Sequence, residues 1–197
     1  MTDSPAPLPD SAPRWATEAD NEALLELVRA CPMKGSIEML FDRSPDFFAL
    51  SHLQGDGANI CVVDDPASGK LAAVAAMAPL SAVYVDGAVR SADYACDLRV
   101  RPEWRGSGLY KQVYQHIEAW SLGRGEGLGF TTVMKGNRAM ARIVAGRAGV
   151  VPYHHITTLR NFTVHFLFKK RPLPGITIRP APAADIPEMV ALWSRLN

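Results

Sequence analysis

Apolar positions recur along this chain with two periods, and each period predicts its own kind of element. Leu109, Val113, Ile117 and Trp120 stand at i, i+4, i+8 and i+11, the spacing of a helix with one face toward a core. Residues 60–63 and 71–77 are instead short apolar runs bounded by turn residues, which is how buried strands read, and a further strand follows at about 92–100. Val83-Tyr84-Val85-Asp86-Gly87-Ala88-Val89 alternates around Asp-Gly and predicts a hairpin. Nearer the start, Trp15 ends a short strand, and the capping sequence Thr17-Glu18-Ala19-Asp20 opens a helix that turns Leu24, Leu25 and Val28 inward and stops at Pro32. Residues 33–43 read as a loop or broken helix, and Ser44-Pro45-Asp46 caps a short helix through Phe47, Phe48 and Leu50. A strand at 130–134, a helix opened by Asn137 with Met140, Ile143 and Val144, and one or two closing strands in 150–168 complete the order β-α-α-β-β-β-α-β-α-β-β. The strand, helix and strand centred on residues 109–120 form a right-handed crossover between parallel strands.

One junction in that order carries chemistry. In Asp97-Leu98-Arg99-Val100-Arg101-Pro102-Glu103-Trp104-Arg105-Gly106-Ser107-Gly108-Leu109 a strand ends, an Arg/Gly turn follows and a helix begins. Unpaired N–H groups at a helix N-terminus, with the partial positive charge of the helix dipole, hold a phosphate or pyrophosphate without a metal. Gly106 and Gly108 let the ligand approach the main chain, and Arg105 adds a planar fork of donors. Gly123, Gly125, Gly127 and Gly129 are denser in glycine, yet they follow a helix and precede a strand, so they read as a helix stop. The chain has neither a G-x-G-x-x-G opening a helix nor a P-loop, which argues against NAD and ATP.

The 197 residues suffice for one sizeable domain, and 48% hydrophobic with 21% charged residues is the balance of a soluble globular protein. A net charge of +1 gives no general attraction to nucleic acid or to an anionic membrane. Basic character is local, with Arg99, Arg101, Arg105 and Lys111 clustered at the phosphate turn. Cys31, Cys61 and Cys96 are odd in number, without a C-x-x-C pair, so neither a disulfide framework nor a zinc site is expected. Cys61 and Cys96 lie in apolar runs as buried, inert thiols. Residues 1–12, rich in Pro, Ser and Asp, lack the apolar core of a signal peptide and read as a mobile tail. The run 71–85 is too short for a membrane span, and a cytoplasmic location fits these features.

The strand ending in Val100-Arg101-Pro102 and the turn Arg105-Gly106-Ser107-Gly108 resemble the acyl-CoA signature of the GNAT N-acetyltransferase superfamily, over residues 14 to about 168. Cys31-Pro32-Met33-Lys34-Gly35, the segment 43–48 and Asp97-Leu98-Arg99-Val100 resemble the first half of tandem-GNAT proteins of poorly defined substrate. The resemblance implies an α/β (α+β) fold with a mixed, mostly antiparallel central sheet, flanked by helices, whose parallel strands splay apart at the CoA site. It implies acetyl-CoA as cosubstrate, no metal, and direct acyl transfer to an amine of a small molecule or peptide. Main-chain groups of Leu98, Arg99 and Val100 would meet pantetheine, residues Arg105, Gly106, Ser107, Gly108 and Leu109 the pyrophosphate, and Asn137 would contact pantetheine or act only as a helix N-cap.

Two positions depart from the family. Tyr110 stands where Gly or Ala is usual, and Val144 where a general-acid Tyr is common, seven residues after the Asn. One extra residue before Gly149 implies a bulged helix there, and Tyr153, His154 or His155 could replace the acid, in a strand that turns only one His inward. For the base, Asp97 and Asp93 share one face of the strand entering the site, and Glu38 lies in the loop bordering the acceptor. The alternative for Asp97 is an ion pair with a neighbouring Arg. A lysine-type amine with pKa near 10.4 is deprotonated in about one molecule in 2,500 at pH 7, a cost of roughly 4.6 kcal/mol, against about 1.4 kcal/mol for an α-amine. A weak base therefore favours low-pKa amines.

A shift of 165 positions aligns Arg14 with Arg179, Ala16 with Ala181, Ala19 with Ala184, Asp20 with Asp185 and Leu27 with Leu192. Residues 13–170 then form the acyl-CoA-binding domain, 171–175 a linker, and 176–197 the start of a second, truncated repeat. The apolar face of that last segment, with Met189, Trp193 and Leu196, needs cover from the first domain or across a homodimer. A non-enzyme alternative is a catalytically weak CoA-binding or structural half-domain supporting a partner.

Overall fold

Strands that are apolar at every position are explained by a sheet covered on both faces. The computed structural model describes residues 11–34, 38–125, 127–147, 149–160 and 174–196, in two units that divide after His155. The first opens with β1 (Arg14–Trp15), a 3-10 turn (Glu18–Asp20) and α1 (Asn21–Ala30). A small hairpin, β2 (Met33–Lys34) and β3 (Glu38–Met39), occupies the segment expected as a loop and leads to α2 (Phe47–Leu53). Then come β4 (Asn59–Asp65), β5 (Lys70–Val85), β6 (Ala88–Val100), α3 (Leu109–Gly123), β7 (Gly129–Thr131) and α4 (Arg138–Arg142). The main sheet has the order β1-β4-β5-β6-β7, antiparallel throughout except for the parallel pair β6 and β7.

Alternation along the strands sends successive side chains to opposite layers. Cys61, Val63, Ala73, Ala75, Met77 and Ala95 pack with Leu109, Val113, Tyr114 and Ile117 of α3. Ile60, Val62, Leu71, Val74 and Ala76 pack with Leu24, Leu25, Leu27 and Val28 of α1 and with Phe47 of α2. Neither layer leaves a polar face, which is why these strands show no polar alternation. Asp86 and Gly87, with φ of 51° and 78°, make the hairpin turn that the Asp-Gly pair predicts. The hairpin arm and the strand that follows it are one continuous β6. All three cysteines are free, and burial pushes the thiols of Cys61 and Cys96 up to about 12, so they are inert.

The expected caps are present: Asp46 accepts from the Phe48 amide at 2.8 Å, and Asn137 Oδ1 accepts from the Met140 amide at 3.1 Å. After α4 the chain makes a π-helical turn, Ile143–Arg147, with Gly146 at φ 74°. This is the bulge that the extra residue implied. Two expectations need correction: β7 is only three residues long, and residues 150–160 form no strand. Here the Tyr153 amide donates to Val144 O at 2.8 Å, so its main chain is taken up by the preceding turn. Residues 161–168, most of the linker and residues 1–10 lie outside the described residues.

The second unit, described by itself, carries an Arg–Asp contact like the one at the opening of the first. Arg14 grips Asp20 through two guanidinium nitrogens at 2.9 and 2.7 Å, and Arg179 grips Asp185 through two at 2.5 and 3.0 Å. In both, a 3-10 turn ending on that Asp continues into a helix, α1 in one and α5 (Ile186–Leu196) in the other. In α1 the positions of Leu24, Leu25, Leu27 and Val28 are buried; their counterparts Met189, Val190, Leu192 and Trp193 are exposed.

Candidate functional site

The turn between β6 and α3 is fixed from below. Trp104, in a 3-10 turn (Pro102–Trp104), donates its indole N–H to Asp65 Oδ2 at 3.3 Å. That carboxylate also accepts from Ser68 Oγ and the Ala67 amide, and the Ser68 bond leads in holding it below the usual carboxylate range. Gly106 and Gly108 adopt φ of 87° and 91°, so glycine is needed here for conformation as well as for access. Space is open where a Cβ would stand on either residue. Of the amides in the turn, Arg105 donates to Pro102 O, Ser107 to Trp104 O, Leu109 to Ser107 Oγ and Lys111 to Gly108 O; those of Gly106, Gly108 and Tyr110 are not among the engaged donors. Free amides at the positive end of a 15-residue helix, beside the exposed Arg105, fit a pyrophosphate.

Next to that turn the sheet opens. Parallel pairing runs through Asp93 with Gly129, Tyr94 with Phe130 and Ala95 with Thr131, then ends. Thr131 Oγ1 donates to Ala95 O at 2.7 Å and the Tyr94 ring stacks on Phe130, closing the narrow end of the wedge. Beyond it, residues 96–100 of β6 pair only with β5 among the described residues, leaving an edge of main-chain groups along Leu98, Arg99 and Val100. Val100 O is partly committed, to Arg105 Nε at 3.3 Å and Cys31 Sγ at 3.4 Å.

A bulge lies in the same stretch. Val74 pairs with Arg99 and Ala76 with Cys96, so Asp97 and Leu98 together oppose Ala75, and Asp97 takes φ 53°. The extra residue breaks the alternation that would put Asp93 and Asp97 on one face. Asp93 faces α3, where Ser121 Oγ donates to it, whereas Asp97 meets Arg43 Nη2 at 2.5 Å and Arg99 Nη2 at 3.3 Å on the α1 and α2 side. Arg99 and Arg101 are therefore not part of a basic rim around the turn. Their side chains are buried, and Arg101 donates to Leu71 O and pairs with Glu26. Arg105 and Lys111 remain exposed. Glu38 is exposed on β3.

On the α3 side, Leu98, Val100, Trp104, Tyr110 and Tyr153 pack against the core. The Tyr153 hydroxyl meets that of Tyr114, and Tyr153 is tied by its main chain to Val144, the position at which the family's acid usually stands. Burial leads in raising both phenols above their ordinary range, so each holds its proton at neutral pH. His154 and His155 are exposed. Asn137 uses its carbonyl oxygen for the cap, which leaves the NH2 group out of that bond. Arg43, 54 residues before Asp97, is marked in the sequence only by the family resemblance of segment 43–48, and Tyr114 by nothing beyond its place within the helix. Among the described residues no group of three or more His, Cys, Asp or Glu could hold a metal, and no helix is long and apolar enough to cross a membrane.

This splayed parallel pair, with a glycine turn leading into the crossover helix, is the architecture of the acetyltransferase (GNAT) fold. Residues 17–145, more than half of the chain, match the acetyltransferase (GNAT) family, and the chain belongs to it. No curated protein matches. Among solved structures, glucosamine-6-phosphate N-acetyltransferase from Arabidopsis thaliana is similar at 20% identity, covering 78% of this chain and 99% of that one with a TM-score of 0.57. An acetyltransferase of Trypanosoma brucei is similar at 18% identity over 77% and 100% of the two chains, with a TM-score of 0.54. AAC(6')-Iy, solved with a bisubstrate analogue of CoA and acetylneamine, is similar at 16% identity over 78% and 99%, also with a TM-score of 0.54.

Proposed function

We propose that this GNAT acetyltransferase uses acetyl-CoA to acylate an amine of a small molecule or peptide by direct transfer. The observation that carries the reading is the junction itself: unengaged amides of Gly106, Gly108 and Tyr110 at the α3 N-terminus, adjoining the unpaired edge of β6. Acyl-CoA, when bound, supplies the activated thioester. Arg105, Gly106, Ser107, Gly108 and Leu109 hold its phosphates, and main-chain groups of Leu98, Arg99 and Val100 with the Asn137 NH2 orient the pantetheine arm. Tyr153 keeps a proton at Oη for the departing sulfur, with Tyr114 fixing its hydroxyl. Asp97 accepts the amine proton directly or through water. Each of its oxygens is already engaged by a guanidinium, so the amine reaches it by exchanging one of those contacts.

A thermal-shift titration with acetyl-CoA and CoA tests the reading, because ligand at about 100 times its dissociation constant adds roughly 2.7 kcal/mol of stability. Thiol release across a panel of amines then separates an enzyme from a binding module. A melting shift with no release from any amine would leave the CoA-binding half-domain as the better account, and no shift would remove both. We also propose that residues 176–197 repeat the opening of the domain, supported by the matching Arg179 and Asp185 clamp. Deleting residues 172–197 should lower stability or change the oligomeric state, read by melting and light scattering. An unchanged protein would make the segment passive.

A further inference from the structure

We infer that the acceptor amine carries an acidic group, a carboxylate or phosphate, recognised by Arg43 and Arg99 at the β6 bulge. This deepens the transferase reading and rests on it. Arg43, Asp97 and Arg99 have side chains only 6%, 8% and 7% exposed, so two cations share one anion in a nearly closed site. Both guanidinium groups also keep a buried N–H without an acceptor, at Nε of Arg43 and Nε of Arg99. A buried positive excess and unpaired charged donors are each costly, and an anionic ligand relieves both together. No other carboxylate is bonded to these two side chains among the described residues: Glu26 is spent on Lys70 and Arg101, and Arg43 otherwise donates to Phe47 O and Ser51 Oγ and lies over the Phe47 ring.

The placement selects the acceptor over the cosubstrate. The phosphate turn leads into α3, and on that face of β6 the stretch beside it is apolar, with Leu98 and Val100 packed against the α3 core. The arginine pair stands on the opposite face of the same few residues, where Asp97 is held. A thioester lying along the unpaired edge would therefore have the phosphate turn on one side and the cationic pair on the other. An amine whose acidic group docks on that pair is delivered to the edge at the height of the bulge. Arg43 and Arg99 are specificity residues in this assignment, because they fix the remote end of the acceptor.

The experiment compares matched acceptors on the whole protein: glycine with glycinamide, β-alanine with β-alaninamide, and O-phosphoethanolamine with ethanolamine. Thiol release is followed at fixed acetyl-CoA. The amides have the less basic amines and hence more free base, which works against the expected result. At least one acidic acceptor should exceed its neutral partner in kcat/KM by about tenfold or more, a charge-assisted contact's worth. Whether the carboxylate or the phosphate arm responds tells the two sources apart. Arg43→Gln should bring that ratio close to one through KM while the melting shift with acetyl-CoA is retained, and Arg99→Lys serves if the first variant fails to fold. Ratios near one in the wild type, no turnover of acidic amines by a protein that acetylates their neutral partners, or equal loss on both arms in the variants would overturn this proposal alone. Failure to bind acetyl-CoA would overturn it together with the transferase reading.

Discussion

Helix α3 has a glycine-bearing turn at each end, and we propose that only the poorer of the two holds an anion. Before the helix, Gly106 and Gly108 take positive φ and leave amides unengaged at the positive end of the dipole. After it, the Arg124 amide donates to Ser121 O at 3.1 Å and the Gly125 amide to Leu122 O at 3.0 Å, so these donors are spent on the carbonyls that close the helix. The chemistry of such a turn is set by which backbone groups the helix leaves over, N–H at its start and C=O at its end. Glycine content alone does not distinguish them.

The sharpest way to break the contrast is Gly108→Val. It places a β-branched side chain at φ 91°, which costs about 1–2 kcal/mol of stability, and it fills the open space beside the amides. Acetyl-CoA affinity by calorimetry should fall by at least about tenfold, or 1.4 kcal/mol. Arg105→Glu follows in total effect. It puts a carboxylate against the phosphates, and because Arg105 is exposed the melting temperature should hardly move while affinity drops by a similar factor of about ten. Normal binding by both variants would place the phosphates elsewhere.

What the sequence made legible here is what is local. The i, i+4, i+8 and i+11 apolar positions of α3, the Asp-Gly hairpin and the cap at Asp46 each depend on neighbours within a turn or two. The catalytic side was harder to read for a physical reason. Alternation predicts one face for Asp93 and Asp97, and a single bulged residue sends them to opposite layers. Arg43 enters through a contact across 54 positions, which no periodicity marks. Residues 150–160 carry strand-like residues, yet Tyr153 spends its amide on Val144 O rather than on a neighbouring strand.

A smaller effect is expected from Gly125→Ala, the control at the far end. With φ 81° and open space for a Cβ, the substitution should cost about 1–2 kcal/mol through backbone strain alone. Acetyl-CoA affinity, measured on the same preparation, should be unchanged. A loss of affinity comparable to that of Gly108→Val would mean that both turns reach the ligand, and the contrast between them would fail.

The smallest expected effect comes from repeating the Arg-to-Glu reversal at the C-terminal end. Arg124 caps α3 with its guanidinium over the Trp120 ring at 4.8 Å, where a cation also suits the negative end of the dipole. Arg124→Glu removes the ring contact and opposes the dipole, for a loss of about 1 kcal/mol in melting experiments. It should leave acetyl-CoA affinity and its salt dependence where they were. Arg105→Glu does the reverse: a carboxylate at the positive end adds no cost to the helix, yet it repels the phosphates. One substitution thus separates stability from binding in opposite senses at the two ends. If Arg124→Glu weakened acetyl-CoA as much as Arg105→Glu does, the effect would be one of overall charge, and the assignment of the anion site to the α3 N-terminus would lose its support.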